Sequence, residues 1–298
     1  MSQQLLVTGA SGQLGQRVIH HLLNTLNIEP SRIVAASRKP ASLAVLATRG
    51  VQVVAADFDD AGSLAKAFAG VDRLLLISTD ALDRPGLRLN QHRAAVAAAE
   101  QAGVRHVVYT SMPNPKESTV LFAPDHAGTE DALAASTLPG WTVLRNHWYF
   151  ENLFMSLPGV LAMGGKWFSA AGDGKLANIS RDDLARAAAI VLAGDSQDKR
   201  TYTLSGEEAL TTAEQAAEIA QALGRPITVI PVPVEGLIQG MVGAGVPPPL
   251  AQVFASFDTN TAAGHIARVT DDYRQITGRS PQRFADWLVA NKAALAGA

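Results

Sequence analysis

The chain has 298 residues, 47% of them hydrophobic, a formal net charge of −2 and no cysteine. That length suits one large domain or one large and one small, and the missing thiols exclude disulfides, cysteine nucleophiles and zinc–thiolate sites. No basic run exceeds Arg38-Lys39 and no apolar stretch matches a bilayer span, which argues against nucleic acid and membrane as partners.

In chain order, Met1-Ser2-Gln3-Gln4 leads straight into a strand pattern without a signal-peptide profile, as expected of a soluble cytoplasmic protein. Leu5, Leu6 and Val7 form the short apolar run of a strand buried on both faces. From Gln16 the spacing turns helical, with Val18, Ile19, Leu22 and Leu23 on one face. Between the two lies Gly9-Ala10-Ser11-Gly12-Gln13-Leu14-Gly15, a G-x-x-G-x-x-G turn one residue different from the dinucleotide fingerprint. Gly9 suits the tight bend, Gly12 the approach of backbone N–H groups to a phosphate, and Gly15 the packing of helix on strand. An ordinary strand-to-helix turn without ligand is the competing reading.

Strands are expected at residues 32–36, 51–55, 73–77, 106–110 and 141–145. Helices are expected at 40–48, 63–69 and 91–102, the last closed by Gly103. This alternation predicts an α/β fold, a Rossmann-like doubly wound parallel sheet whose ligands lie beyond the carboxyl ends of the strands. The second half is less regular. A helix opened by Ser180 runs to Leu192, a strand covers 201–204, and Thr211-x-x-Glu214 has capping-box spacing before a helix ending near Gly224. Another strand is expected at 227–231. The Gly- and Pro-rich stretch 236–249 reads as a mobile lid or an ordinary surface loop. Ser280-Pro281 reads as the start of a terminal helix with Phe284, Trp287 and Leu288 inward. The division expected is a dinucleotide-binding domain over 1–152, with 176–205 packing back on it. A smaller substrate-side α/β domain would comprise 153–175 and 206–298.

An NAD site places an acid at the end of the second strand; here the strand ends Ser37-Arg38-Lys39, which favours the 2′-phosphate of NADP(H). A solvated strand end is the alternative for these cations. Asp57-Phe58 ends strand three, where the carboxylate suits the adenine amino group or simply a turn, and Ser78 and Thr79 end strand four on the nicotinamide side.

With Arg38 and Asp57, the glycine turn and the run Leu144-Arg145-Asn146-His147-Trp148-Tyr149-Phe150-Glu151-Asn152 resemble the NmrA-like atypical short-chain dehydrogenases. Within them the chain is most similar to the bacterial type 2 NAD(P)H:quinone oxidoreductases, with triphenylmethane reductases close behind. The resemblance covers nearly the whole chain, through residues 170–175 and Thr277-Gly278-Arg279. It implies that Gly9, Ala10, Ser11, Gly12, Gln13, Leu14 and Arg38 hold NADP(H), and that Asn146, His147, Trp148, Tyr149, Phe150 and Glu151 pass beside the nicotinamide.

The Tyr-x-x-x-Lys pair of most short-chain dehydrogenases is absent: four residues after Tyr109, Tyr149, Tyr202 and Tyr273 stand Pro113, Leu153, Gly206 and Thr277. By spacing to Glu130, the lysine position falls on His126 and the tyrosine position on Phe122, with Pro124 between them. A ketone would become an alkoxide with a conjugate-acid pKa near that of water, about 15.7. A quinone becomes a phenolate-like anion with a pKa of roughly 10, a difference of about 8 kcal/mol in proton affinity. Hydrogen-bond donors then suffice, and the candidates are Asn146, Trp148, Tyr149 and His126; core or pocket-wall roles compete for each. The expected activity is an NADPH-dependent reduction of quinones or similar electron-poor conjugated compounds, by a monomer or homodimer. An NmrA-like redox sensor without turnover and a dye or imine reductase are the alternatives.

Overall fold

The computed structural model describes residues 3–81, 84 and 86–297. Strand β1 (Leu5–Val7) feeds α1 (Gln13–His20), which runs on into a π-helical turn at His21–Thr25, and then β2 (Ile33–Ser37). A 3-10 turn and α2 (Ala44–Thr48) precede β3 (Gln52–Ala55); α3 (Ala61–Phe68) precedes β4 (Arg73–Leu76). Next come α4 (Leu87–Gln101), β5 (His106–Ser111), α5 (Ala123–Ala135) and β6 (Gly140–Asn146). The chain continues through α6 (Leu153–Ala162), β7 (Lys166–Ser169), β8 (Lys175–Leu176), α7 (Arg181–Ala193) and β9 (Lys199–Leu204). It ends with β10 (Leu210–Thr211), α8 (Thr212–Leu223), β11 (Thr228–Pro231), α9 (Val234–Gly243), α10 (Pro248–Ala262), α11 (Asp272–Thr277) and α12 (Phe284–Ala296).

Seven strands form one parallel sheet in the order β3-β2-β1-β4-β5-β6-β9, with Leu6 of β1 in register with Val34 and Leu74. Leu5 and Val7 face a core shared with α1 and α7, whereas Leu6 faces one shared with α3, α4 and α5. Period-two alternation with both faces buried is what helices on either side of a parallel sheet require. The chain winds from β1 outward to β3 and then returns to β4, so strand order reverses between β1 and β4. A crevice opens there at the carboxyl edge. A third core joins Phe150 and Leu157 to Ile219, Phe284, Trp287 and Leu288, beside the small pairs β7–β11 and β8–β10.

The capping signals hold where they are local. The Ser180 hydroxyl accepts from the Asp183 N–H, and Thr211 with Glu214 forms a complete capping box. Two expectations are corrected. The stretch 236–249 is not a loop. It contains most of α9 and the start of α10, where Pro247 is the N-cap and Pro248 and Pro249 occupy the first turn, whose N–H groups need no intrahelical partner. The terminal helix begins at Phe284 rather than after Ser280. Asp183 Oδ2 takes the N–H of Gln282 at 2.8 Å while its Oδ1 accepts from the Tyr273 hydroxyl at 2.6 Å, and this keeps the preceding chain extended. Among the described residues no helix is long and apolar enough to cross a membrane.

The seating of α1 on β1 depends on Gly15. A Cβ there would lie 2.3 Å from the Gly9 carbonyl oxygen and 2.9 Å from Ala10 Cα. Gly15→Ala is therefore expected to push α1 outward and destabilise the protein by about 1–3 kcal/mol, despite alanine's better helix propensity. Urea unfolding checks this; equal or higher stability of the variant would show that α1 can shift freely.

Candidate active site

The glycine turn is built by three different constraints. Gly9 has a φ of +58°, which favours glycine. Gly12 is the N-cap of α1 and has no side chain to cover the first N–H groups of the helix. Those groups, at Gln13, Leu14 and Gly15, line a cleft of about 650 Å³. Gly15 supplies the close approach described above. The arrangement suits an anion at the helix N-terminus.

Thr8 aligns the neighbouring strand end: its hydroxyl donates to the Leu75 carbonyl at 3.0 Å and accepts from the Ile77 N–H at 2.9 Å. The Ser11 and Ser37 hydroxyls lie 3.0 Å apart, tying the turn to the end of β2, and Ser37 also accepts from the Lys39 N–H. Exposed Arg38 lines the cleft rim beside this pair. Asp57 turns the chain after β3 by accepting from the Asp59 N–H, and Asp59 in turn accepts from the Gln91 amide at 3.0 Å.

The cleft thus gathers Gly9, Ser11, Gly12, Gln13, Leu14, Arg38, Asp57, Phe58, Ser78 and Thr79 from four strand ends. Ala10 is turned away, fully buried with its N–H on the Ala36 carbonyl, and Lys39 is not among the lining residues. Ser37, the hydroxyl of the expected phosphate-binding strand end, lines the cleft as well, and Thr8, Ile77, Asp59, Asp80 and Gln91 line it without having been singled out in sequence. Thr8 and Ile77 were accessible to inspection beside strand ends; Gln91 sits on a helix and carries no local signal.

The run from Asn146, the last residue of β6, to Glu151 is not among the residues that line that cleft. Asn146 is buried with its Oδ1 unpartnered, and the Trp148 indole N–H is likewise unpartnered with its ring 5.2 Å from Phe257. The Arg181 guanidinium stands 4.8 Å over the Tyr149 ring. Burial raises the Tyr149 hydroxyl above its usual pKa, against a smaller opposing pull from Arg181. Phe150 and Glu151 have structural partners instead. Phe150 packs on Phe284 and Trp287, and Glu151 Oε2 accepts the Arg181 N–H at 2.9 Å where α7 begins. Arg145 and Glu130 form a two-pronged ion pair at 2.6 and 3.0 Å, with the Ser111 hydroxyl adding a third bond to Glu130. That clamp fixes α5 against the ends of β5 and β6.

His126 has a different place from the one its spacing suggested. Its Nε2 lies 2.8 Å from Arg88 Nη2, which can only donate, so Nε2 accepts and the ring proton sits on Nδ1. Nδ1 is 2.8 Å from the Tyr109 hydroxyl. Burial, with Arg88 and His92 nearby, pushes the pKa of His126 well below the ordinary imidazole range. A neutral ring with both nitrogens engaged does not serve as a general acid. His92 is fixed by the same logic: Nε2 accepts from the Thr79 N–H at 3.0 Å, and Nδ1 donates to Thr129 at 2.9 Å. It thereby anchors the cleft wall at Thr79.

The sheet order and the glycine-turn cleft at its reversal define a Rossmann-like α/β protein on the plan of the dinucleotide-binding reductases. The chain belongs to the NmrA-like family, whose model matches residues 1–288. It is 38% identical to quinone oxidoreductase 2 of Escherichia coli over 95% of this chain and 96% of that protein. The crystal structure of the E. coli NADPH-dependent quinone oxidoreductase complexed with NADPH matches with a TM-score of 0.89 at 35% identity, covering 96% of this chain and 98% of that one. The Citrobacter sp. triphenylmethane reductase complexed with NADP(H) matches with a TM-score of 0.88 at 34% identity, covering 96% and 99%.

Two buried histidines are expected to cost the fold stability in acid. Burial holds His92 and His147 down to about 3, with Arg88 adding to the effect on His92. Neither nitrogen of His147 has a partner. Each histidine binds a proton more readily unfolded, at about 6.5, so stability is present above pH 6.5 and is lost as pH falls from there toward 3. The slope contributed is about 1.4 kcal/mol per pH unit per histidine. His147→Phe should flatten the fall in urea-unfolding free energy between pH 6 and pH 4 by about that slope. An unchanged profile would mean that His147 titrates alike in both states.

Proposed function

We propose that the protein is an oxidoreductase that takes hydride from NADPH and delivers it to quinones or similar electron-poor conjugated compounds. The observation carrying this is the cleft itself: an uncapped helix N-terminus and Arg38 with the Ser11–Ser37 pair at its far end, where no acid stands at the end of β2. The likeness to the quinone reductase and the triphenylmethane reductase supports both the cofactor and the substrate class. Its partner is a small molecule, and a cytoplasmic monomer or homodimer is sufficient.

The residues fit NADP(H). The first N–H groups of α1 would take the pyrophosphate, Arg38 with Ser37 the 2′-phosphate, Asp57 and Phe58 the adenine side, and Ser78 and Thr79 the chain toward the nicotinamide. When bound, the reduced nicotinamide supplies hydride. The protein's own work is to hold the acceptor and to stabilise the charge that forms on it. Trp148, Phe257 and Phe122 make an apolar aromatic wall beyond β5 and β6, which suits a flat conjugated ring and excludes water from it. The Asn146 amide, the Trp148 indole and the Tyr149 hydroxyl are the donors we assign to the acceptor's oxygen. His126 holds its neighbours in place and transfers no proton. Water protonates the phenolate-like product, whose basicity is far below that of an alkoxide.

Arg38→Asp should weaken NADPH by about 1.5–3 kcal/mol and spare NADH, the loss of charge-assisted bonds to one phosphate. Fluorescence titration with both cofactors reads this, and equal losses would remove Arg38 from phosphate recognition. The purified protein should oxidise NADPH rapidly with a benzoquinone and negligibly with an unactivated ketone across pH 6 to 9. Cofactor binding without any quinone-dependent oxidation would favour a redox sensor. Brisk ketone reduction would require a general acid that the described residues do not present.

A further inference from the structure

Arg88, in the first turn of α4, is only 6% exposed. Its charge stands against three effects at once. Burial lowers its pKa, the positive end of the α4 dipole lies at its position, and its guanidinium forms no ion pair among the described residues. What holds it is neutral: His126 Nε2 accepts from Nη2 at 2.8 Å, and the Phe122 ring lies 4.9 Å beneath Cζ. Nε is buried without a partner, so among the described residues Nη1 is the guanidinium nitrogen that is neither bonded to another group nor fully buried. Asp80 and Asp125 are the carboxylates whose charge it feels at longer range, while the buried Tyr109 and Tyr149 hydroxyls, both pushed above their usual pKa, stay neutral beside it.

The position is specific. Leu87 and Gln91, on the same helix, line the cofactor cleft, while Phe122 beneath the guanidinium contacts Phe257, which contacts Trp148. Arg88 therefore stands where the cleft meets the aromatic wall. We propose that Arg88 is the charge-stabilising residue of the reaction, a fixed cation for the oxyanion that forms on the acceptor. The proposal rests on the quinone-reductase reading above. With NADPH bound, the nicotinamide C–H bond would break to leave NADP⁺, its hydride would form an O–H bond at one quinone oxygen, and the displaced electron pair would rest on the opposite oxygen as a hydroquinone monoanion. Water then gives the second hydrogen as a proton. A cation held by a neutral imidazole keeps its full charge for that anion, whereas a carboxylate partner would cancel it. His126 and Tyr109 are positioning residues: Tyr109 holds the imidazole and the imidazole holds the guanidinium.

The test compares wild type with Arg88→Met, Arg88→Lys and Arg88→Gln, each saturated with NADP(H). Arg88→Met should lower kcat for benzoquinone about 10²-fold with NADPH affinity unchanged, as for loss of one oxyanion donor. Arg88→Lys, which keeps the charge, should recover much of that rate, and Arg88→Gln, which keeps a donor without charge, should not. A nitrophenol bound to the NADP⁺ form should ionise at a pH about 1 unit lower in wild type than in Arg88→Met, read from its phenolate absorbance. A cationic triarylmethane dye, which hydride would neutralise rather than charge, should bind Arg88→Met at least as tightly as wild type. If Arg88→Met fails to fold, the Lys and Gln variants decide alone. Equal quinone rates in those two, or nitrophenol ionisation unchanged by loss of the charge, overturns the proposal. A wild type inactive toward every quinone overturns the reading of function instead, and the nitrophenol measurement still judges Arg88.

Discussion

The close approach of α1 to the end of β1 is the contact on which the rest of the molecule depends. It requires a left-handed residue at Gly9 and no side chain at Gly15, whose Cβ would stand 2.3 Å from the Gly9 carbonyl oxygen. Once the helix is seated there, its first N–H groups have nowhere to point but the crevice at the reversal of strand order. Thr8 then couples the turn to β4, and the Ser11–Ser37 contact couples it to β2. The anion-binding geometry of the crevice is thus a consequence of how one helix packs on one strand.

The region around α5, beyond β5 and β6, is organised by buried polar groups rather than by a backbone turn. The Arg145–Glu130–Ser111 clamp and the Arg88–His126–Tyr109 chain both tie α5 to its neighbours across the carboxyl edge. Buried polar groups of this kind are costly unless every partner is present, so they fix geometry tightly. The second of these networks leaves little freedom for proton transfer, because accepting from arginine commits His126 to the neutral tautomer. The chemistry this permits is charge stabilisation, which agrees with an acceptor whose reduced form is a weak base.

Much of the fold was legible because it is written in local periodicities. Leu5-Leu6-Val7, the helical spacing after Gln16 and the alternation through Trp141 define a doubly wound sheet, since apolar period follows directly from which faces are buried. Capping at Ser180 and Thr211 is similarly local, a side chain meeting an N–H three residues on. The misread stretches share one cause. Pro247-Pro248-Pro249 forbids a helix interior but suits a helix start, and only packing on the chain after β5, where Ser118 donates to Asn260, decides which applies. Pro281 could open a helix, yet Asp183 from a distant segment takes the Gln282 N–H and postpones it.

By itself, then, the sequence determined the sheet, the glycine turn, the cation at Arg38 and the absence of a Tyr-Lys pair, all properties of residues near one another in the chain. Tertiary structure alone decided the roles of the polar residues brought together from afar. His126 looked like an acid by spacing and is a neutral prop, because Arg88, 38 positions earlier, can only donate to it. Phe150 and Glu151, expected beside the cofactor, have partners that only the fold supplies: Phe150 packs on α12 and Glu151 accepts an N–H at the start of α7. Arg88 gave no signal at all, since an arginine in a polar helix turn is ordinary until the chain folds and burial removes the water from around its charge.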